Sequence, residues 1–245
     1  MVLLETQGLV KKYAGRTVVD GVSISVEQRS IVGLLGRNGA GKTTSFRMCI
    51  GMIVPDGGAV TFEGRDVTKF PMFKRARLGM GYLSQEPSVF QRLSVIDNLL
   101  AILETMSLTS RERHRRARDL IERFSLGEVV KSQARFLSGG ERRKLEIARA
   151  MVTNPSLILL DEPFSGVDPI AVEELQSEIR RLVASGVSIL ITDHNVERTL
   201  EVSDKAYIMD HGKVIAAGSP KEIIQDELVK KSYLGQTFKG DEFDD

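Results

Sequence analysis

Disulfide bonding is the first thing this sequence excludes. Of its 245 residues only Cys49 is a cysteine, so no internal bridge can form. A lone thiol suits a reducing compartment, and its expected place is the buried face of a helix. A surplus of charge is also missing: Lys+Arg 34 against Asp+Glu 33 leaves a formal +1. No global field therefore draws in nucleic acid or anionic lipid. Long apolar runs are absent as well, and none approaches the roughly 20 residues that a spanning helix needs. The opening MVLLETQGLVKKY lacks the charged start and long apolar core of a secretion signal. The expectation is a cytoplasmic protein whose membrane role, if any, depends on partners. No internal repeat, low-complexity segment or linker is visible, only a short acidic tail, GDEFDD, at 240–245.

What is present reads as an ordinary globular chain, with 42% apolar and 27% charged residues. Its length suits one large domain, or one domain with an inserted piece. LLETQGL and VSISVEQ alternate with period two, and 27–30 (EQRS) reads as a hairpin connection before IVGLL at 31–35. IVGLL is almost wholly apolar, as a parallel strand covered on both faces would be. From about Ser94 to Asn154 the spacing turns helical. RERHRRAR at 111–118, with His114, reads as a solvated helix face rather than a nucleic-acid patch. Strands return at 156–161 (SLILLD) and 187–192 (VSILIT) around a helix at 170–185. AYIMDHGKVIAAG then forms a hairpin turning at Asp210–Lys213. Strand–helix alternation of this kind predicts an α/β fold with a parallel sheet.

GRNGAGKT at 36–43 completes the pattern G-x-x-x-x-G-K-[ST] between a strand and a helix. The loop through Gly36, Asn38, Gly39, Ala40 and Gly41 can turn backbone N–H groups onto phosphate oxygens. Lys42 reaches the terminal phosphates, Thr43 offers a hydroxyl to Mg²⁺, and Thr44 supports an adjacent phosphate. SLILLD ends in Asp161 and Glu162, which places two carboxylates at the carboxyl edge of the sheet beside that loop. Asp161 is the candidate metal ligand and Glu162 the candidate general base for water. His194 follows VSILIT and Gln85 follows GYLS, so both emerge at the same edge. His194 is a candidate γ-phosphate contact; its bland reading is a turn or cap residue. Gln85 is a candidate for γ-phosphate and metal.

A second anion-seeking helix start, LSGGE, stands at 137–141. Ser138 there could be a plain N-cap, but Gly139 and Gly140 bare the backbone for close approach. Together with the phosphate loop, the paired acids, Gln85 and His194 in this order, the sequence resembles the ATP-binding cassette (ABC) ATPases along nearly its whole length.

The resemblance implies a P-loop NTPase core, with an N-terminal antiparallel β-subdomain (1–86 and 155–240 together) and an inserted helical subdomain (87–154). It implies ATP and Mg²⁺ as ligands, and a head-to-tail homodimer in which each LSGGE closes on the ATP of the other copy. It further implies Tyr13 as the adenine-stacking aromatic, against its reading as a partly buried strand tyrosine. Ser165 and Asp168 become interface residues. Residues 86–92, with Phe90 and Arg92, become a dock for a transmembrane partner, against a core position for Phe90.

Wider stretches, among them RTVVDGVSISV, RLSVIDNL, ITDHNV and YLGQTF, are similar to the ATPase subunits of bacterial lipopolysaccharide exporters. Such subunits work beneath two membrane permeases at the cytoplasmic face of the inner membrane, without touching the substrate or nucleic acid. Arg37 stands where that pattern commonly has proline, and Ser165 where it has alanine. The branched-chain amino acid importer ATPases share the style. Non-transport cassettes fit less well, because a single GKT and a short gap between the two halves leave no room for a second site or a coiled coil.

Overall fold

Apolar residues at alternating positions sort this chain into two sheets with helices packed between and beside them. The computed structural model describes residues 1–86, 88–166 and 168–234. The acidic 240–245 tail, the 235–238 end of YLGQTF, Pro87 and Val167 lie outside the described residues. In chain order the first elements are β1 (Val2–Tyr13), β2 (Arg16–Val22), β3 (Ser25–Glu27), β4 (Ile31–Gly36), α1 (Lys42–Ile50), β5 (Gly57–Phe62), β6 (Arg65–Asp66), α2 (Met72–Arg77) and β7 (Met80–Leu83). Three helices follow: α3 (Val95–Leu103), α4 (Ser110–Arg123) and α5 (Gly139–Met151). The chain continues with β8 (Leu157–Asp161), α6 (Pro169–Ala184), β9 (Ser188–Thr192), α7 (Val196–Val202), β10 (Lys205–Asp210), β11 (Lys213–Gly218), α8 (Pro220–Gln225) and α9 (Glu227–Val229).

The larger sheet runs β11-β10-β4-β9-β8-β7, parallel throughout except for the β10–β11 hairpin. That hairpin turns where expected, with His211 and Gly212 at positive φ. The smaller sheet is antiparallel, with β1 pairing β2, β3 and β5, and β5 pairing β6. Alternation decides which side of the large sheet each residue serves. Ile158, Leu160, Ile189 and Ile191 pack toward the helices α3–α6. Leu157, Leu159, Leu190, Val32 and Leu34 pack toward α1 and the small sheet. Both faces are covered, which is why β4, β8 and β9 are buried at every position. The helices α3–α5 fall between β7 and β8, which are parallel neighbours, so this segment is one long crossover connection.

One expectation fails. Residues 27–30 do not form a hairpin: β3 pairs with β1 in the small sheet, while β4 joins the large one. All six residues of β4 are buried, and a strand with no solvent face cannot close a two-stranded ribbon. The chain crosses between the sheets there, with Arg29 at φ 55 and its N–H donating to Ser188 Oγ at 2.9 Å.

Burial settles other readings. Cys49 lies fully buried on α1, and burial pushes its thiol up to about 12. His114 is exposed on α4, whose Ala117 and Ile121 face inward. Arg75 of α2 is wholly buried and donates to the carbonyls of Met48, Cys49, Thr68 and Phe70. Two of those carbonyls close the C-terminal end of α1, so a cation sits at the negative pole of the helix whose other end opens on the phosphate loop.

Candidate active site

The phosphate loop is formed by the exit of β4, a strand buried along its whole length. Gly36 sits at φ 149, and a Cβ there would collide with the Met209 carbonyl of β10. Gly41 sits at φ 98, where a Cβ would come within 2.7 Å of the Val18 carbonyl of β2. These two glycines let the loop nest between the sheets, whereas Gly39 (φ 81) faces open space. The β10–β11 turn braces the loop from behind, the Gly212 N–H donating to the Ala40 carbonyl at 3.0 Å. Lys42 is buried and its Nζ donates to the carbonyls of Gly36 (2.5 Å) and Arg37 (3.0 Å). Burial lowers its pKa, against the opposing pull of the Glu162 and Asp193 carboxylates. Asn38 and Thr43 are exposed and Thr44 half-buried, at the loop and the first turn of α1.

The paired acids stand at the end of β8, which lies between β9 and the edge strand β7. Asp161 is buried, its carboxyl raised by desolvation, and its Oδ2 accepts from Tyr82 Oη at 3.1 Å. Glu162 takes a left-handed backbone (φ 47), uncommon for a residue with a Cβ and costly unless the surroundings hold it. Its N–H is held by the Thr192 carbonyl at 2.7 Å, which anchors it to β9. Gln85 Nε2 donates to Glu162 Oε2 at 3.0 Å, and His194 Nδ1 lies 3.5 Å from the same oxygen. Gln85, Glu162 and His194 are thus brought to one carboxylate, as their places at the strand exits predict. Beneath them Asp193 is fully buried, with its carboxyl raised by desolvation. It accepts from the N–H groups of Phe164 and Asn195, each at 2.9 Å, and so ties the loop after Glu162 to the loop carrying His194.

Ser138 is the N-cap of α5. It forms a full capping box with Glu141, whose N–H and carboxylate it engages. Nothing lies within 4 Å of where a Cβ on Gly139 or Gly140 would be, so the backbone beside the cap is bare. These residues border a cleft of ≈ 380 Å³ shared with Gln85, Glu162 and Asp168. The walls of that cleft include none of residues 36–44. Further along α5, Glu146 and Arg149 reach across to the 86–92 segment. Glu146 Oε1 accepts from the Ser88 N–H at 3.3 Å, and Arg149 Nη1 donates to the Ser88 carbonyl.

The remaining predicted residues are spread over the surface. Tyr13 is exposed at the end of β1, with Lys11 Nζ 5.6 Å from its ring. Asp168 caps α6, its Oδ1 accepting from the Ala171 N–H at 3.0 Å, and Ser165 borders the same cleft. Phe90 is 48% exposed under the Arg149 guanidinium, so it is not a core residue, and Arg92 is exposed. Sequence reasoning missed Tyr82, Asp193, Glu146 and Arg149. Only Asp193 carried a signal, as an acid directly after a largely apolar strand.

Similarity to known proteins agrees with this geometry. The ABC transporter family profile matches residues 19–165. The lipopolysaccharide export system ATP-binding protein of Acidithiobacillus ferridurans is 51% identical over 97% of this chain and 98% of its own length. The protein of the same description from Escherichia coli strain K12 is 50% identical over 98% of this chain and 100% of its own. Among solved structures, an ATP-binding cassette of an ABC transporter in its ADP conformation superposes with a TM-score of 0.87 at 29% identity, covering 96% of this chain and 100% of that one. The cbiO1 protein of Clostridium perfringens gives a TM-score of 0.85 at 25% identity, covering 96% of each chain. With a phosphate loop, paired acids and a bared LSGGE helix on this fold, the chain belongs to the ABC transporter family, as one of its ATP-hydrolysing cassettes.

Proposed function

We propose that this chain powers lipopolysaccharide export, as a head-to-tail homodimer beneath two transmembrane subunits at the cytoplasmic face of the inner membrane. The observation that carries the reading is identity of 50–51% over nearly the full length with proteins described as serving that export system. Among the described residues no helix is long and apolar enough to cross a membrane, so the membrane part of the task falls to partners.

ATP lies with its phosphates on the loop from Gly36 to Thr44 and its adenine against Tyr13. Lys42 leaves the Gly36 and Arg37 carbonyls to bind the terminal phosphates. Glu162 takes the proton of the attacking water, with Gln85 and His194 fixing its carboxylate and His194 reaching the γ-phosphate. Thr43, Gln85 and Asp161 offer hydroxyl, amide and carboxylate oxygens, a donor set that fits Mg²⁺. Bound Mg²⁺ supplies neutralisation of phosphate charge.

Ser138, Gly139 and Gly140 grip the γ-phosphate held by the other copy. The absence of residues 36–44 from the cleft beside Ser138 supports this reading, as do Ser165 and Asp168 at its edge. Residues 86–92, with Phe90 and Arg92, receive the transmembrane partner. The helical segment 87–154 is a subdomain inserted into the core formed by 1–86 and 155–240.

Mixed dimers of Ser138→Arg with Lys42→Ala test the assembly. Each holds one site with both defects and one composite site of intact parts, which should close on ATP. Mixed dimers no better than either variant alone refute the trans arrangement. Co-purification with the native membrane subunits, followed by identification of the bound lipid, tests the substrate.

A further inference from the structure

Tyr82 is not part of any motif read from the sequence, yet it touches the acid placed at the metal. It stands on β7 in register with Leu159 of β8, two residues before Asp161. Residues two apart on a strand share a face, about 6–7 Å apart, a gap that a phenol can span. The Tyr82 hydroxyl lies 3.1 Å from Asp161 Oδ2. Its ring meets Phe46 of α1 with centroids 6.3 Å apart and planes at 53°. The first turn of α1 carries Thr43, another of the three side-chain oxygens placed at the metal. One tyrosine therefore touches both the helix and the strand that supply two of those oxygens.

We propose that Tyr82 is a positioning residue for the metal site, its hydroxyl fixing the Asp161 carboxylate through Oδ2 while its ring, seated on Phe46, keeps that carboxylate in step with Thr43. The proposal rests on the reading of Asp161 as a magnesium ligand. A buried carboxylate beside Glu162 and Asp193 is repelled by both, and a neutral donor restrains it without adding charge. Partners in the second shell of a metal commonly change affinity by about 10–100-fold when removed.

Tyr82→Phe removes one oxygen and keeps the ring on Phe46. Mn²⁺ binding, followed by electron paramagnetic resonance with a saturating non-hydrolysable ATP analogue, reads the metal directly. Binding of the same analogue in EDTA reads the nucleotide alone, and thermal unfolding in EDTA checks the fold. The variant should bind Mn²⁺ about tenfold more weakly with unchanged metal-free nucleotide affinity. Mn²⁺ affinity within about twofold of the parent, or an equal loss in EDTA, overturns the proposal. Asp161→Asn separates the two layers. If it binds Mn²⁺ as the parent does, the metal reading falls and the role of Tyr82 with it; if it loses Mn²⁺ while Tyr82→Phe does not, only the role of Tyr82 is refuted.

Discussion

Replacing Arg75 with methionine should be among the most damaging single changes in this protein, although Arg75 lies outside the nucleotide site. The side chain is wholly buried, and its guanidinium donates to Met48 (2.8 Å), Cys49 (2.6 Å), Thr68 (3.0 Å) and Phe70 (2.9 Å) carbonyls. Methionine keeps the apolar stem and removes every donor. Met48 retains a second donor in the Gly51 N–H at 3.3 Å. Thr68 and Phe70 are half-buried, so water can partly replace the loss, whereas the Cys49 carbonyl lies in the core. An orphaned buried group costs about 1–3 kcal/mol. Losing a cation at a helix C-terminus adds about 0.3–2 kcal/mol. Relief from burying a charge offsets part of this, so we expect a net loss of about 1–4 kcal/mol. For a chain of this size that lowers Tm by about 2–16 °C. Chemical and thermal unfolding without nucleotide measure it. Arg77→Met, on the exposed face of the same helix, should stay within about 0.5 kcal/mol. A loss below about 1 kcal/mol in Arg75→Met would refute the account of α1 as a helix closed by a buried cation.

Three further outcomes follow from the site and the caps. Lys42→Ala should weaken ATP binding and abolish turnover, and calorimetry alongside phosphate release would expose an unaltered variant. Glu162→Gln should lose about 10²–10⁴ in hydrolysis while retaining ATP, accumulating as an ATP-bound dimer on size exclusion; hydrolysis at the parent rate removes Glu162 from its role. Glu112, Glu141 and Glu222 each hold a capping box, and bonds from the capping hydroxyl and N–H keep their carboxyls below the ordinary range. Folded protein therefore binds fewer protons than unfolded protein there. Their contribution is full above the ordinary carboxylate range and fades as pH falls through the lowered values. Thr109→Ala, Ser138→Ala and Ser219→Ala combined should flatten that acid limb of stability against pH, and an unchanged slope contradicts it.

The phosphate loop, the paired acids and the 210–213 hairpin were legible because each is a local pattern, complete within a dozen residues. Gln85 and His194 were legible for a different reason: apolar strands announce where their ends must lie. The link between 27 and 30 misled because turn chemistry says that the chain bends, while the destination depends on which sheet can cover IVGLL on both faces. Tyr82 and Asp161 meet across 79 positions of sequence, and Phe164 and Asp193 across 29. Such contacts depend on strand register, which no local pattern reports. Arg75 shows the same limit, since a run of basic residues at 74–77 gives no hint that one of them is internal. At Ser138 the two competing readings proved compatible, because a capping box occupies the serine and leaves the glycines bare.

The burial of Cys49 has a practical consequence for every experiment that needs a probe on this molecule. A thiol sealed inside α1 and held protonated to about 12 offers almost no thiolate to maleimides, disulfide reagents or peroxide at neutral pH. The native sequence is therefore its own cysteine-silent background. A cysteine introduced at exposed Phe136, just ahead of the LSGGE helix, or at exposed Asn38, on the phosphate loop, would be the one reactive thiol per copy. Cross-linking between two such single-cysteine copies would report directly on which loop faces which, without a prior substitution inside the helix that the buried thiol helps to fill.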